Sequence, residues 1–228
     1  MKYALVTGAY RGIGLEAARQ LGHHGFHVFV TARHTDKGRA AIETLRGEGL
    51  EATFVALDVT DESSISRAVE EVRGHTSSLD ALVNNAAVFP RGEFDILTMP
   101  AAELRAAIET NAIGPLLVTQ AFWPMLLDSP SPRVVNVSSG AGRLFDMGNE
   151  MSAYGPSKTL LNALTRQFAG ANPKVSVNAI CPGWVRTEMG GDNAPRSVEQ
   201  GAAIITHLAT MDNPPSGKYL NDAGEIGW

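Results

Sequence analysis

The chain has little that would tie it to the cell exterior, to a membrane or to nucleic acid. Its one cysteine, Cys181, excludes an internal disulfide and fits a reducing compartment. No stretch approaches the ~20 consecutive apolar residues that a membrane-spanning helix needs. Basic residues are outnumbered: the formal net charge is −5, which argues against nucleic acid or an anionic lipid surface as the main partner. His23, His24, His27, His34, His75 and His207 show no metal-ligand spacing with cysteine or carboxylates. They read as surface or helix-end residues, and no metal is expected. No linker, repeat or low-complexity tract interrupts the chain. A strand-like run begins at the second residue and leaves no room for a secretory leader, so a cytoplasmic protein is expected.

What is present suits one α/β domain spanning residues 1–228. The hydrophobic share of 44% is enough to bury a sizeable core. Apolar runs at 3–7, 27–32, 52–59, 79–85, 133–139, 175–181 and, more weakly, 217–221 read as strands buried on both faces. Helical patterns lie between them at about 12–24, 35–48, 61–74, 101–127, 153–170 and 197–210, with Asp61, Ser63 and Ser64 as cap candidates for the third. Strand and helix alternating this regularly predict right-handed crossovers and a parallel sheet of about seven strands, with helices on both faces. Three irregular stretches, 86–100, 140–152 and 182–196, each follow a strand and should line a ligand crevice at the strand ends.

Two short patterns carry chemistry. After the first strand comes TGAYRGIG, with Gly8, Gly12 and Gly14. Glycines there permit a tight turn and a close backbone approach to a pyrophosphate, and the helix that follows points its free N–H groups at the phosphates. Further on, SAYGPSK places Tyr154 and Lys158 four positions apart at a helix start, with Pro156 in the first turn, where its missing N–H costs nothing. Taken alone, that pair fits an ordinary helix start with a half-buried tyrosine and a solvated lysine.

Taken together and in order, the segments resemble the short-chain dehydrogenase/reductase family over nearly the whole chain. TGAYRGIG is similar to the family's cofactor turn, and LDV with Asp58 to the position that holds adenine. NNAA at 84–87 resembles N-N-A-G, with Ala87 where the family has glycine. Asn111 in TNAIG, the serines of VNVSS, and Tyr154 with Lys158 match a catalytic asparagine, serine, tyrosine and lysine. CPGWVRT at 181–187 is similar to the segment that closes over the nicotinamide. TARHTDKGRAAIETL, SSGAGRL and CPGWVRTEMGG point to the carbonyl-reductase-like branch.

The resemblance implies a doubly wound, Rossmann-type sheet and NADPH-dependent reduction of an aldehyde or ketone, with NADP+ and an alcohol on the other side of the equation. It implies cofactor contacts from Gly8, Tyr10, Arg11, Gly12, Ile13 and Gly14 in the first turn, from Asp58 and Val59, and from Asn85 and Ala86. Tyr154 and Lys158 belong to the same set, as do Pro182, Gly183, Val185 and Thr187. Lys158 should hold the nicotinamide ribose. Of the two serines the family places the catalytic one second, so Ser139 is chosen and Ser138 is left as a strand-end hydroxyl. Relatives pair through the helices carrying Asn111 and Tyr154 as homodimers or homotetramers, although the branch includes monomers. Two competing readings are a non-catalytic NADP(H)-binding sensor and a reductase of carrier-bound 3-oxoacyl chains. The complete Ser-Asn-Tyr-Lys set argues against the first, and the lone Arg196 in GGDNAPRSVEQ against the second.

The chemistry explains the residue types. A proton donor at a carbonyl oxygen works best with a pKa near the operating pH, and a free tyrosine at ~10 lies about three pH units too high. Lysine four residues on places a positive charge beside the phenol, and Gly155 should leave room there for cofactor and substrate. Ser139 should steady the substrate oxygen. Asn111 falls mid-helix, four residues before Pro115, so its carbonyl loses its usual donor. A water there would link Asn111 to Lys158. Phe89, Trp184, Phe145 and Met147 are pocket candidates, and Cys181 reads as inert on a buried strand. The second strand ends in Ala32 and Arg33, where an NAD enzyme commonly carries an acid, and Arg11 should face the same ribose. Two guanidiniums suit a 2′-phosphate.

Overall fold

The computed structural model describes residues 1–90 and 95–228; the part of the 86–100 stretch at 91–94 lies outside the described residues. Strands β1 (Lys2–Val6), β2 (Phe26–Ala32), β3 (Ala52–Ala56) and β4 (Ala81–Asn84) alternate with helices α1 (Gly12–His23), α2 (Thr35–Gly47) and α3 (Glu62–Arg73). There follow α4 (Ala101–Ile108), α5 (Gly114–Asp128), β5 (Arg133–Val137), α6 (Tyr154–Ala171), β6 (Ser176–Ile180), α7 (Val198–Thr210), β7 (Tyr219–Asn221) and β8 (Gly224–Glu225). The sheet order is β3-β2-β1-β4-β5-β6-β7-β8, parallel throughout except for the antiparallel pair β7–β8.

The sheet therefore has eight described strands, where about seven were expected. The eighth is a two-residue return in which Asn221 accepts a hydrogen bond from the Ala223 N–H at 2.9 Å, too short to leave a periodic signal. Elsewhere the alternation of side chains builds two cores from one sheet. Ala4, Val6, Val28 and Val30 face one way and pack on Ala17 and Leu21 of α1, Ile42 of α2 and Ile205 of α7. Leu5, Phe29, Val134 and Val177 face the other way, against Ile65 of α3 and Val118 and Phe122 of α5. Strands covered on both sides must be apolar on both faces, which is how they read.

Caps set the helix starts. Asp61 accepts from the Ser63 N–H at 2.9 Å and begins α3, and Ser197 with Gln200 forms a capping box on α7. The single helix expected over 101–127 is interrupted by a π-helical turn at Glu109–Ile113, just before Pro115. A proline cannot supply the N–H that α-helical bonding requires of it, and just before it the Gly114 N–H bonds the Glu109 carbonyl five residues back.

Candidate active site

Strands β1, β4, β5 and β6 end at one cleft, a cavity of about 1000 Å³ that opens where the strand order reverses between β1 and β4. An open parallel sheet leaves a crevice at that point because the helices on either side turn away from each other.

The glycine turn forms one wall. Gly8 and Gly12 have φ of +63° and +56°, in the left-handed region. At Gly14 the need is space: a Cβ there would lie 2.4 Å from Asn85 Nδ2 and 2.8 Å from the Gly8 carbonyl. Asn85 donates from Nδ2 to the Thr7 carbonyl at 2.9 Å, and Thr7 Oγ1 accepts the N–H groups of Asn85 and Ala86 at 2.9 and 3.0 Å. The turn is thereby clamped to β4. Helix α1 starts with no side-chain cap and no acidic residue in its first turn, so its leading N–H groups remain available to an anion. That cradle fits a dinucleotide pyrophosphate.

At the outer end of the cleft Arg33 follows β2 and is exposed. Asp58 accepts the Thr60 N–H and hydroxyl at 3.0 and 2.8 Å, and Val59 packs so tightly on Gly114 that a Cβ there would meet it at 2.8 Å. Arg11 lines the same cleft from the glycine turn. Its half-exposed guanidinium pairs with Glu188 on the opposite wall and lies 5.0 Å from the Tyr10 ring. Lys37, in the first turn of α2, holds its Nζ 5.6 Å from that same ring, a cation beside the glycine turn. Sequence reasoning missed it, although a lysine four residues past Arg33 was the available signal.

Of the four residues expected to act together, Ser139, Tyr154 and Lys158 line the cleft, and Asn111 lies behind them against Ser157. Ser139, just past β5, influences the Tyr154 phenol through its hydroxyl and accepts from the Ala141 N–H at 3.2 Å. Lys158 is 2% exposed, donates from Nζ to the Val137 carbonyl at 2.8 Å, and sits 5.6 Å from the Tyr154 ring. Fully buried Asn111 donates from Nδ2 to the Val88 carbonyl at 2.9 Å and to Ser157 Oγ at 3.0 Å, and accepts the Val88 N–H at 2.8 Å. It therefore pins the segment after β4 to α6. Burial pushes the Tyr154 phenol up to about 12, with the Ser139 hydrogen bond pulling the other way. Burial also brings the Lys158 ammonium down to about 7. Burial outweighs the lowering that the lysine was expected to bring.

Several smaller expectations change. A Cβ on Gly155 would lie 2.9 Å from the Ala141 carbonyl, so this glycine admits the loop after β5 rather than a ligand. Phe145 is 87% exposed and lies off the cleft, as does Met147, whose Cε is near Gly155. Met151 lines the cavity from the same loop, across from Phe89, Trp184 and Met189, and the Phe89 and Tyr154 rings are 5.0 Å apart. Cys181 lies half-buried just past β6 and lines the cleft instead of sitting within a buried strand. Pro182, Gly183, Val185 and Thr187 follow it, and Thr187 Oγ1 accepts from the Gly190 N–H at 3.0 Å. Ser138 Oγ is buried without a well-formed hydrogen bond. His27 is a half-buried strand residue bonded to Thr53 Oγ1 at 2.9 Å, and burial lowers its pKa. Among the described residues no cluster of three or more His, Cys, Asp or Glu could hold a metal ion, and no helix is long and apolar enough to cross a membrane.

Residues 2–197 match the family model described as short chain dehydrogenase. The chain is 34% identical to a (+)-neomenthol dehydrogenase of Arabidopsis thaliana, with 96% of each chain covered. It is 32% identical to the Sus scrofa protein called carbonyl reductase [NADPH] 1, over 100% of this chain and 94% of that one. Both alignments, over 284 and 276 positions, are longer than the 228 residues here, so each relative carries stretches with no counterpart in this chain. Among solved structures, an NADPH-bound carbonyl reductase from chicken fatty liver superposes with a TM-score of 0.88 at 31% identity, covering 100% of this chain and 99% of that one.

Proposed function

Since the chain belongs to the short-chain dehydrogenase family, we propose that it is an NADPH-dependent reductase of bulky, uncharged aldehydes or ketones, with Tyr154 as the proton donor. The observation that carries this reading is the meeting of the Tyr154 phenol, the Ser139 hydroxyl and buried Lys158 at the wall of the cleft that the glycine turn opens. Bound NADPH supplies the hydride. The α1 N-terminus and the turn at Gly8–Gly14 hold its pyrophosphate, and Arg33 takes the 2′-phosphate through charge-assisted hydrogen bonds. Two of the three named relatives carry NADPH in their names, which agrees with that cationic end.

At neutral pH a phenol held near 12 is fully protonated, the form needed to give a proton to a carbonyl oxygen. Ser139 donates to that same oxygen and fixes its distance from the phenol. Lys158 lies close enough to steady the phenolate as it forms, and a water between it and the Asn111 carbonyl would return the proton. Phe89, Met151, Trp184 and Met189 line the cleft together with Arg186 and Glu188, and the four apolar side chains favour an apolar body on the substrate.

The test is turnover of a panel of aromatic and alicyclic ketones and aldehydes with NADPH and NADH, for the wild type and Tyr154→Phe. NADPH-linked reduction that falls by at least ~10²-fold in the variant, with cofactor affinity kept, is the expected result. Near-normal turnover without the phenol hydroxyl would reject the mechanism.

A further inference from the structure

The active-site serine is held from behind by a side chain with no part in the chemistry above. Tyr219, on β7, is fully buried and donates its hydroxyl to the Ser139 carbonyl at 2.5 Å. That carbonyl also accepts the Gly142 N–H at 2.8 Å, but Gly142 belongs to the same loop and moves with it. The tyrosine is the tie from the Ser139 carbonyl to the sheet. Its ring stacks on Trp228 with centroids 5.5 Å apart, and the guanidinium of Arg166 on α6 covers Trp228 at 5.5 Å. The Trp228 carbonyl in turn accepts the Phe145 N–H at 3.3 Å. Nearby Asn162 donates from Nδ2 to the Gly142 carbonyl at 3.0 Å. The loop that carries Ser139 is therefore braced at three places by α6 and the C-terminal hairpin.

We propose that Tyr219 is a positioning residue, whose hydroxyl sets the direction of Ser139 toward the Tyr154 phenol through the Ser139 backbone carbonyl. The inference rests on the function proposed above. A phenylalanine would fill the same core space and stack equally on Trp228, so the hydroxyl is what the packing does not require. A reacting group a few tenths of an ångström out of place loses rate without losing affinity, because only the transition state demands the closer geometry.

Tyr219→Phe tests this, alone and combined with Ser139→Ala. The expected kcat loss is about 5- to 100-fold, between the worth of one uncharged hydrogen bond and that of a reacting group displaced by an ångström. NADPH affinity should stay at the wild-type value. The Ser139 hydroxyl favours the phenolate, so the ionisation limb of the alcohol-oxidation rate should move to higher pH in Tyr219→Phe. In the Ser139→Ala background the same change should lose nothing further, as expected of residues acting through one group. Trp228→Ala, which leaves the hydroxyl but removes its ring support, should lower kcat in the same direction if Tyr219→Phe does not fold. An unchanged kcat and pH limb, or an equal loss with and without the Ser139 hydroxyl, would overturn the role of Tyr219. Full activity of Ser139→Ala by itself would instead overturn the mechanism on which it rests.

Discussion

Replacing Lys158 with methionine keeps the side-chain length and removes a charge that is 2% exposed, with the Val137 carbonyl as its hydrogen-bond partner at 2.8 Å. Burial brings its ammonium from 10.5 to about 7, while in the unfolded chain it keeps the ordinary value. At ~1.4 kcal/mol for each pH unit of that difference, holding the charged form inside the fold costs on the order of 5 kcal/mol. Below pH 7 both states are protonated and the whole cost is present. Between about 7 and 10.5 the native state has released its proton and the unfolded state has not, so stability rises with pH. Tyr154, with its phenol pushed up to about 12, acts in the opposite direction, but only above the ordinary tyrosine value of 10.0. Urea unfolding between about pH 7.5 and 9.5, without cofactor, therefore isolates the lysine. Wild-type stability should rise by ~2–3 kcal/mol across that window, at a slope near 1.4 kcal/mol per pH unit, while Lys158→Met should stay flat and start higher. Parallel curves for the two proteins, or a wild type that weakens over the window, would refute the claim that Lys158 is stored at an electrostatic loss. Activity should move the other way: the methionine variant is the more stable protein and the poorer reductase.

Two further predictions concern the cofactor. Arg33→Ala removes one charge-assisted contact to a 2′-phosphate, typically ~1.5–3 kcal/mol, so NADPH should bind about 10- to 150-fold more weakly by calorimetry. NADH affinity should hardly change, and an equal loss of both would show that Arg33 does not read the phosphate. Alanine at Gly14 would gain ~1 kcal/mol in an ordinary helix. Here its methyl would lie 2.4 Å from Asn85 Nδ2, and relieving such overpacking costs about 1–3 kcal/mol. Gly14→Ala should therefore melt no higher than the wild type and bind either dinucleotide poorly, whereas a clear rise in the melting midpoint would mean that the turn is not packed against β4 as described.

The fold was legible because its signals are local. Strands covered on both faces must be largely apolar, and β1, β2, β4, β5 and β6 are, with polar residues such as Asn84, Asn136 and Asn178 buried among them. Helix starts announce themselves through single side chains, such as Asp61 on α3. The candidate site was legible for the same reason. Gly8, Gly12 and Gly14 occupy one turn, and Tyr154 with Lys158 one helical face, so their spacing along the chain is already a spacing in space. The π-helical turn at Asn111 follows from a proline four residues on. Family resemblance then singled out Ser139 from Ser138, which periodicity alone could not do.

Tertiary structure decided whatever depends on how distant segments meet. The pairing of Arg11 with Glu188 brings the loop after β6 to the first turn, as does the approach of Thr187 to Gly12. Lys37 reaches Tyr10 only once α2 is laid beside the glycine turn. The brace from Tyr219 to Ser139 joins residues 80 positions apart, brought together by the pairing of β7 with β6. The direction of the Tyr154 and Lys158 pKa changes belongs with these. A positive neighbour four residues away can be read from sequence, but desolvation is the sum over every segment that closes around the pair, and here that sum outweighs the neighbour. Local pattern determines which faces are buried; only the assembled sheet determines what they are buried against.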